Sequence, residues 1–249
     1  MTELTTGELL QVLQQGTVEI EGILPWSSNY AFLVRVCDGP LALGAVYKPE
    51  RGERPLWDFP QGTLCLRERA AFVVSEAIGW HIVPPTVLRD AQHGLGSVQL
   101  FIDHDPERHY FTIEGDEALR PQLQRIALLD ILINNADRKA GHVLIQESEE
   151  AGGPDRLWGI DHGISFHVDP KLRTVIWEFG GTPIPVELRR EMEAFRARLG
   201  DEASGLSVEL AGLLSPAEME ALRRRLDRLI NRAAFPQPGA GRHYPWPPV

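Results

Sequence analysis

Apolar positions recur along this chain with two different periods. Thr17 to Leu24 alternates apolar and acidic residues, Tyr30 to Val36 is aromatic and β-branched, and Leu41 to Tyr47 is apolar. Alternation and β-branching mark strands. Ser27-Ser28-Asn29 and Asp38-Gly39-Pro40 supply turns between the runs, which together predict an antiparallel meander. A threonine-capped amphipathic helix, Thr5 to Leu13, precedes them. Leu64 to Gly79 has helical spacing, with Gly79 placed to end it and Pro84-Pro85 barring any continuation. Pro85 to Leu88 and Ser97 to Ile102 predict two more short strands.

The pattern then changes. Asp103 to His109 is polar and linker-like, and Pro121 to Asn134 follows as a strongly apolar helix. Two short β runs, Val143–Gln146 and Leu157–Ile160, flank an acidic turn. The last third is helical: Glu187 to Leu199, then a helix opened by the capping box Ser215-Pro216-Ala217-Glu218. From Pro236 the tail is rich in proline and aromatics, and is expected to pack as an extended strap or to be disordered. The expected architecture is α+β and two-lobed, like a protein kinase. Residues 1–103 would form a β-rich N-lobe and 104–249 a mainly helical C-lobe.

Composition narrows the function. The 249 residues carry a formal charge of -10, which opposes a role in coating nucleic acid or residing stably on an anionic membrane. No apolar run approaches a membrane span, the first residues lack a leader pattern, and Cys37 and Cys65 form no metal or redox pair, so a cytoplasmic protein is expected. Only three of the 25 basic residues are lysines: Lys48, Lys139 and Lys171.

Two of those lysines fall in segments with chemical potential. Lys48 ends an apolar strand, from which its ammonium would reach a cleft between lobes. Glu68 shares a helical stripe with Leu64, Ala71, Phe72 and Ser75, and an acid on a packed stripe implies a cationic partner, with Glu76 as the alternative. Asn134 to Ile145 joins an apolar helix to a strand and holds Asp137, a candidate base, and Arg138, which could hold the loop or meet phosphate. Leu157 to Phe166 is a strand that delivers Asp161, followed by a glycine at 163 to turn the chain away. Asp137 and Asp161 together could hold a divalent cation against phosphate oxygens. The turn at Ser27, Ser28 and Asn29 could cover phosphates with its amides and hydroxyls. A lysine, its brace, two acids and a phosphate-covering turn are the parts that nucleotide phosphoryl transfer requires.

Ser27-Ser28-Asn29-Tyr30, Val46-Tyr47-Lys48-Pro49, Ile82-Val83-Pro84, Gly96 to Phe101, Asn135-Ala136-Asp137-Arg138 and Ile160-Asp161-His162-Gly163 occur in the order seen in the phosphatidylinositol 3-/4-kinase superfamily. The type II phosphatidylinositol 4-kinases look closest, and the whole chain resembles an uncharacterised bacterial family distantly similar to them. The resemblance implies ATP with Mg²⁺ or Mn²⁺ as cofactors. Lys48 would hold the α/β phosphates, Glu68 would brace it, and Asp137 would be catalytic. The backbone of Gln99, Leu100, Phe101, Ile102 and Asp103 would meet adenine, and Asp161 would bind metal. The implied reaction is ATP-dependent phosphorylation of a hydroxyl on a protein or small molecule. One departure stands out: where the family pattern places a metal-binding asparagine, five residues after the catalytic aspartate, this chain has His142. Imidazole ligates Mn²⁺ better than Mg²⁺. Two alternatives follow: a catalytically impaired nucleotide-binding pseudokinase, or a transition-metal-dependent enzyme using His142 and Asp161 with His162 and His167. The six tryptophans include Trp26, Trp57, Trp80, Trp158 and Trp177, which are expected as core or lobe-interface anchors.

Overall fold

The computed structural model describes residues 4–24, 29–148 and 153–249. A helix α1 (Thr6–Gln15), with a capping box between Thr5 and Glu8, leads into strands β1 (Thr17–Ile23), β2 (Phe32–Asp38) and β3 (Leu41–Pro49). After helix α2 (Leu64–Ile78) come β4 (Thr86–Ala91) and β5 (Gly94–Leu100). The five strands form one antiparallel sheet in the order β1-β2-β3-β5-β4, so β3, which carries Lys48, is central. Val12 and Leu13 of α1 pack on one face with Val34, Val36, Ala45, Tyr47 and Val98. Side chains alternate across a strand, so Lys48 takes the face opposite Tyr47, towards α2.

Two glycines are set by geometry. Gly79 caps α2 at φ +89°, as its position in the sequence predicts. At Gly96 a Cβ would lie 2.5 Å from the Lys48 carbonyl and 2.6 Å from the Tyr47 ring, so only glycine lets β5 close on β3 there.

The helical half contains a short helix α3 (Tyr110–Ile113), α4 (Arg120–Ile133), the hairpin β6 (Val143–Gln146) and β7 (Arg156–Gly159), then α5 (Val186–Gly200), α6 (Gly205–Leu213) and α7 (Pro216–Arg232). The sequence pattern does not anticipate α3 or α6. The large core joins α4, α5 and α7 with the buried face of α2, so α2 belongs as much to the helical half as to the sheet. An ion pair reinforces this join: Arg67 of α2 reaches Glu218 of α7 at 2.5 Å and donates to the Ser165 carbonyl at 2.7 Å.

The tail is an extended strap. The Thr174 amide donates to the His243 carbonyl at 3.1 Å and the Ala140 amide to the Pro248 carbonyl at 2.8 Å. Among the tryptophans, Trp80 and Trp158 are buried, but Trp57 is 93% exposed and anchors no core. Its ring instead lies under the Lys171 ammonium, 5.2 Å from the centroid. Trp26 lies outside the described residues.

Candidate active site

The site is built where the sheet, α2 and the β6–β7 hairpin converge. Lys48 Nζ lies 2.6 Å from Glu68 Oε1 and 2.8 Å from Asp161 Oδ1. Glu68 is only 3% exposed and uses both oxygens, since Oε2 accepts the His162 amide at 2.9 Å. Burial disfavours the Lys48 ammonium, but Asp161 and Glu68 outweigh it and raise its pKa above the ordinary lysine value. Burial also opposes ionisation of Asp161, and Lys48 and the neighbouring imidazoles more than offset it, holding the carboxyl well below the usual carboxylate range. Glu76, the alternative partner, pairs with His81 at 2.9 Å instead.

Asp137 faces the same cleft as Lys48, Glu68 and Asp161. Burial pushes its pKa up to about 6, and Asp161 adds to the rise while Lys139 opposes it. The Asp137 amide donates to the Asn135 side chain at 2.9 Å, which fixes the turn. Lys139 Nζ stands 3.7 Å from Asp137 Oδ2. In the sequence only the rarity of lysine and a place two residues after Asp137 mark Lys139, and by themselves these assign it no role.

Of the two roles open to Arg138, its contacts support holding the loop and not meeting phosphate. It is fully buried, with no surface to offer a phosphate, and all five of its N–H donors are taken. Nε and Nη2 grip the Asp130 carboxylate at 2.9–3.1 Å. Nη1 donates to the carbonyls of His142 at 2.9 Å and Ile160 at 2.6 Å, and Nη2 to His162 Nε2 at 2.7 Å. It positions the loop and the end of β7 relative to α4.

The turn after β7 also differs from expectation. Asp161 itself takes the left-handed conformation, φ +59°, whereas Gly163 does not have a positive φ. The acid is therefore presented from a sparsely populated backbone state at the mouth of the cleft.

His142 Nδ1 lies 3.0 Å from the Asp137 carbonyl, which can only accept, so Nδ1 carries the proton and Nε2 presents its lone pair. That lone pair faces Asp161 Oδ2 at 3.3 Å. Burial drives the His142 pKa down to about 4, against the pull of Asp161, so the ring is neutral at pH 7. Two acceptors side by side suit a shared cation, and an N/O donor set suits Mn²⁺. His162 and His167 do not join them. His162 Nε2 accepts from Arg138, and His167 uses Nε2 on the Asp58 carbonyl and Nδ1 on the Asp169 amide. Among the described residues no group of three metal-binding side chains gathers, so the four-residue transition-metal centre does not form.

The nucleotide-facing residues divide. Ser27 and Ser28 lie outside the described residues. Asn29 lines the cleft, and its side chain accepts the Arg54 amide at 2.9 Å. Gln99 sits inside β5, its side chain buried on Thr86 Oγ1 at 2.8 Å. The Leu100 and Phe101 amides are occupied by the carbonyls of Pro85 and Gly44. Ile102 packs with Leu144 and Trp158, with Leu100 and Ile160 against them, as an apolar floor.

No family model matches the sequence. Part of the chain is 33% identical over 123 residues to rice phosphatidylinositol 4-kinase gamma 4, covering 41% of this chain and 20% of that protein. The fold is similar to the structure of hydra Fam20 with sugar, at TM-score 0.61 and 16% identity, covering 92% of this chain and 88% of that one. It is also similar to the Golgi casein kinase with Mn and ADP bound, at TM-score 0.60 and 15% identity, covering 92% and 75%. The fold is thus a kinase-like α+β fold. Over 269 aligned positions the chain is 37% identical to protein Rv2133c of Mycobacterium tuberculosis, covering 95% of this chain and 94% of that protein. The chain belongs to the family of Rv2133c.

Proposed function

We propose that this chain is an ATP-dependent phosphotransferase of the phosphatidylinositol 3-/4-kinase-like superfamily, acting in the cytoplasm on a hydroxyl of a protein or small molecule. The observation that carries this reading is the Lys48 ammonium bridging Glu68 and Asp161 in the cleft that Asp137 also lines. In this reading residues 1–103 form the lobe above the nucleotide and 104–249 the lobe bearing the Asp137 loop.

Lys48, held by Glu68, binds the α/β phosphates. The adenine ring rests on the floor of Ile102, Leu144 and Ile160, and its edge meets the amides of Ile102 and Asp103. Those amides have no protein partner among the described residues, unlike those of Leu100 and Phe101. Asp161 and His142 would hold Mg²⁺ or Mn²⁺, which supplies charge neutralisation on the phosphate oxygens. Asp137 accepts the proton as the acceptor oxygen attacks the γ-phosphorus and the bond to the β-phosphate breaks, releasing ADP. A pKa near 6 suits a base working near neutral pH.

The test is metal-dependent ATP turnover or autophosphorylation by the purified chain. It is expected to be abolished in Asp137→Ala and Asp161→Ala, and ordinary turnover in both would refute the assignment. Thermal stabilisation by ATP without phosphate release would instead identify a pseudokinase. Occupancy at about a hundred times the dissociation constant stabilises by ~2.7 kcal/mol.

A further inference from the structure

A second cavity of about 210 Å³, lined in part by Asn134, shares no lining residue with the cleft. Arg224, Arg225, Arg228 and Arg232 of α7 line it, at spacings that bring them to one side of the helix. Ile131, Leu172 and Leu229 give it an apolar part. No carboxylate is among its lining residues, in a chain whose formal charge is -10.

The four cations are poorly compensated. Arg224 meets Glu220 at 3.5 Å, an exposed pair of little strength. Among the described residues Arg225, Arg228 and Arg232 have no ion-pair partner, and nearby Glu218 is committed to Arg67. Arg225 spends Nε on the Leu132 carbonyl at 2.7 Å and Nη1 on the His167 carbonyl at 3.1 Å. Its Nη2 is buried without any partner. A buried N–H left unpaired is costly, so this guanidinium keeps unspent donor capacity beside the cavity. Burial, with Arg224 and Arg228 adding to it, lowers the Arg225 pKa to about 10, which leaves a full cation at neutral pH.

We propose that this cavity binds a phosphate monoester bearing a compact apolar group. Guanidinium forks match the oxygens of a dianion, and the apolar wall matches the ester's organic part. A cavity of ~150 Å³ accommodates a benzene ring, so the volume suffices for a small ester. The site is separate from the cleft, but one wall is Val168, Pro170 and Leu172, from the stretch that follows Asp161. Asn134, at the head of the Asp137 loop, holds that stretch by donating to the carbonyls of His167 at 2.9 Å and Asp169 at 2.7 Å. An occupant of the cavity therefore braces the segment leading out of the cleft.

Calorimetric titration with phenyl phosphate, and in parallel with inorganic phosphate, tests the site. One phenyl phosphate per chain is expected, bound about tenfold more tightly than inorganic phosphate. Arg228 and Arg232 are exposed, so an Arg228→Gln/Arg232→Gln variant should keep its melting temperature and lose at least about tenfold in affinity. Lys48→Met should bind phenyl phosphate normally, which separates this site from the cleft. Absent binding, binding undiminished in the double arginine variant, or binding lost in Lys48→Met would each overturn the proposal. Pelleting with phosphatidylcholine vesicles, with and without phosphatidic acid, distinguishes the source. Pelleting that needs both phosphatidic acid and the arginines assigns the ester to a lipid headgroup; calorimetric binding without pelleting assigns it to a free metabolite.

Discussion

Replacing Asp130 by asparagine removes one charge and almost no volume, and its cost follows from the partners of Arg138. Both side chains of the pair are fully buried. The carboxylate takes three of the guanidinium's contacts, at 2.9–3.1 Å. In Asp130→Asn the amide nitrogen would turn a donor towards donors, and the guanidinium charge would be stranded without compensation. Breaking a buried pair from one side costs ~3–5 kcal/mol. At ~2–4 °C per kcal/mol for a chain of this size, the melting midpoint should fall by roughly 6–20 °C. Thermal unfolding followed by circular dichroism measures it. An Asp130→Leu/Arg138→Met variant strands no charge and should regain part of the loss. It should stay below the natural chain, because the Ile160 carbonyl loses its Arg138 donor and the His142 carbonyl keeps only the Ile160 amide. A fall of less than about 2 °C in Asp130→Asn would refute the reasoning.

The Arg67–Glu218 pair gives a pH signature. Burial alone would raise the Glu218 pKa, but the Ser215 amide and hydroxyl and the Arg67 guanidinium overcome it and hold it below the ordinary value. Its stabilisation is therefore complete above about 4.5 and is lost as pH falls through the lower folded value. Glu218→Gln should lower the melting midpoint at pH 7 and flatten its decline below pH about 4.5; parallel curves for both proteins would contradict this. At the cleft, His142→Asn exchanges the nitrogen donor for an oxygen donor. The ratio of Mn²⁺- to Mg²⁺-supported ATP turnover should fall severalfold, and an unchanged ratio would remove His142 from the metal site.

Most of the elements were legible because their signals are local. The Thr5 and Ser215 capping boxes, Gly79 at a left-handed cap, and the β-branched runs of the meander each act within a few residues of themselves. Helix α6 escaped because its residues, Gly205 to Leu213, are apolar with little amphipathic periodicity, although Ser204 supplies its cap. Trp57 misled for the opposite reason. Its residue type argues for burial, yet a loop that presents Asp58 to Lys171 at 2.7 Å turns the neighbouring ring outwards.

By itself the sequence determined which residues could do chemistry: a scarce lysine closing an apolar strand, an acid on a packed helical stripe, and acids on either side of a hairpin. Tertiary structure alone decided what each of them meets. Arg138 became a buried clamp because five acceptors from α4, the ends of the β6–β7 hairpin and His162 converge on it, and convergence of distant acceptors leaves no local trace. Likewise nothing local in the sequence marks the α7 arginines as a site. Only the packing of 168–172 against them makes their face of the helix the wall of a cavity, because a distant stretch of chain withdraws Arg225, alone of the four, from the water that would otherwise satisfy it.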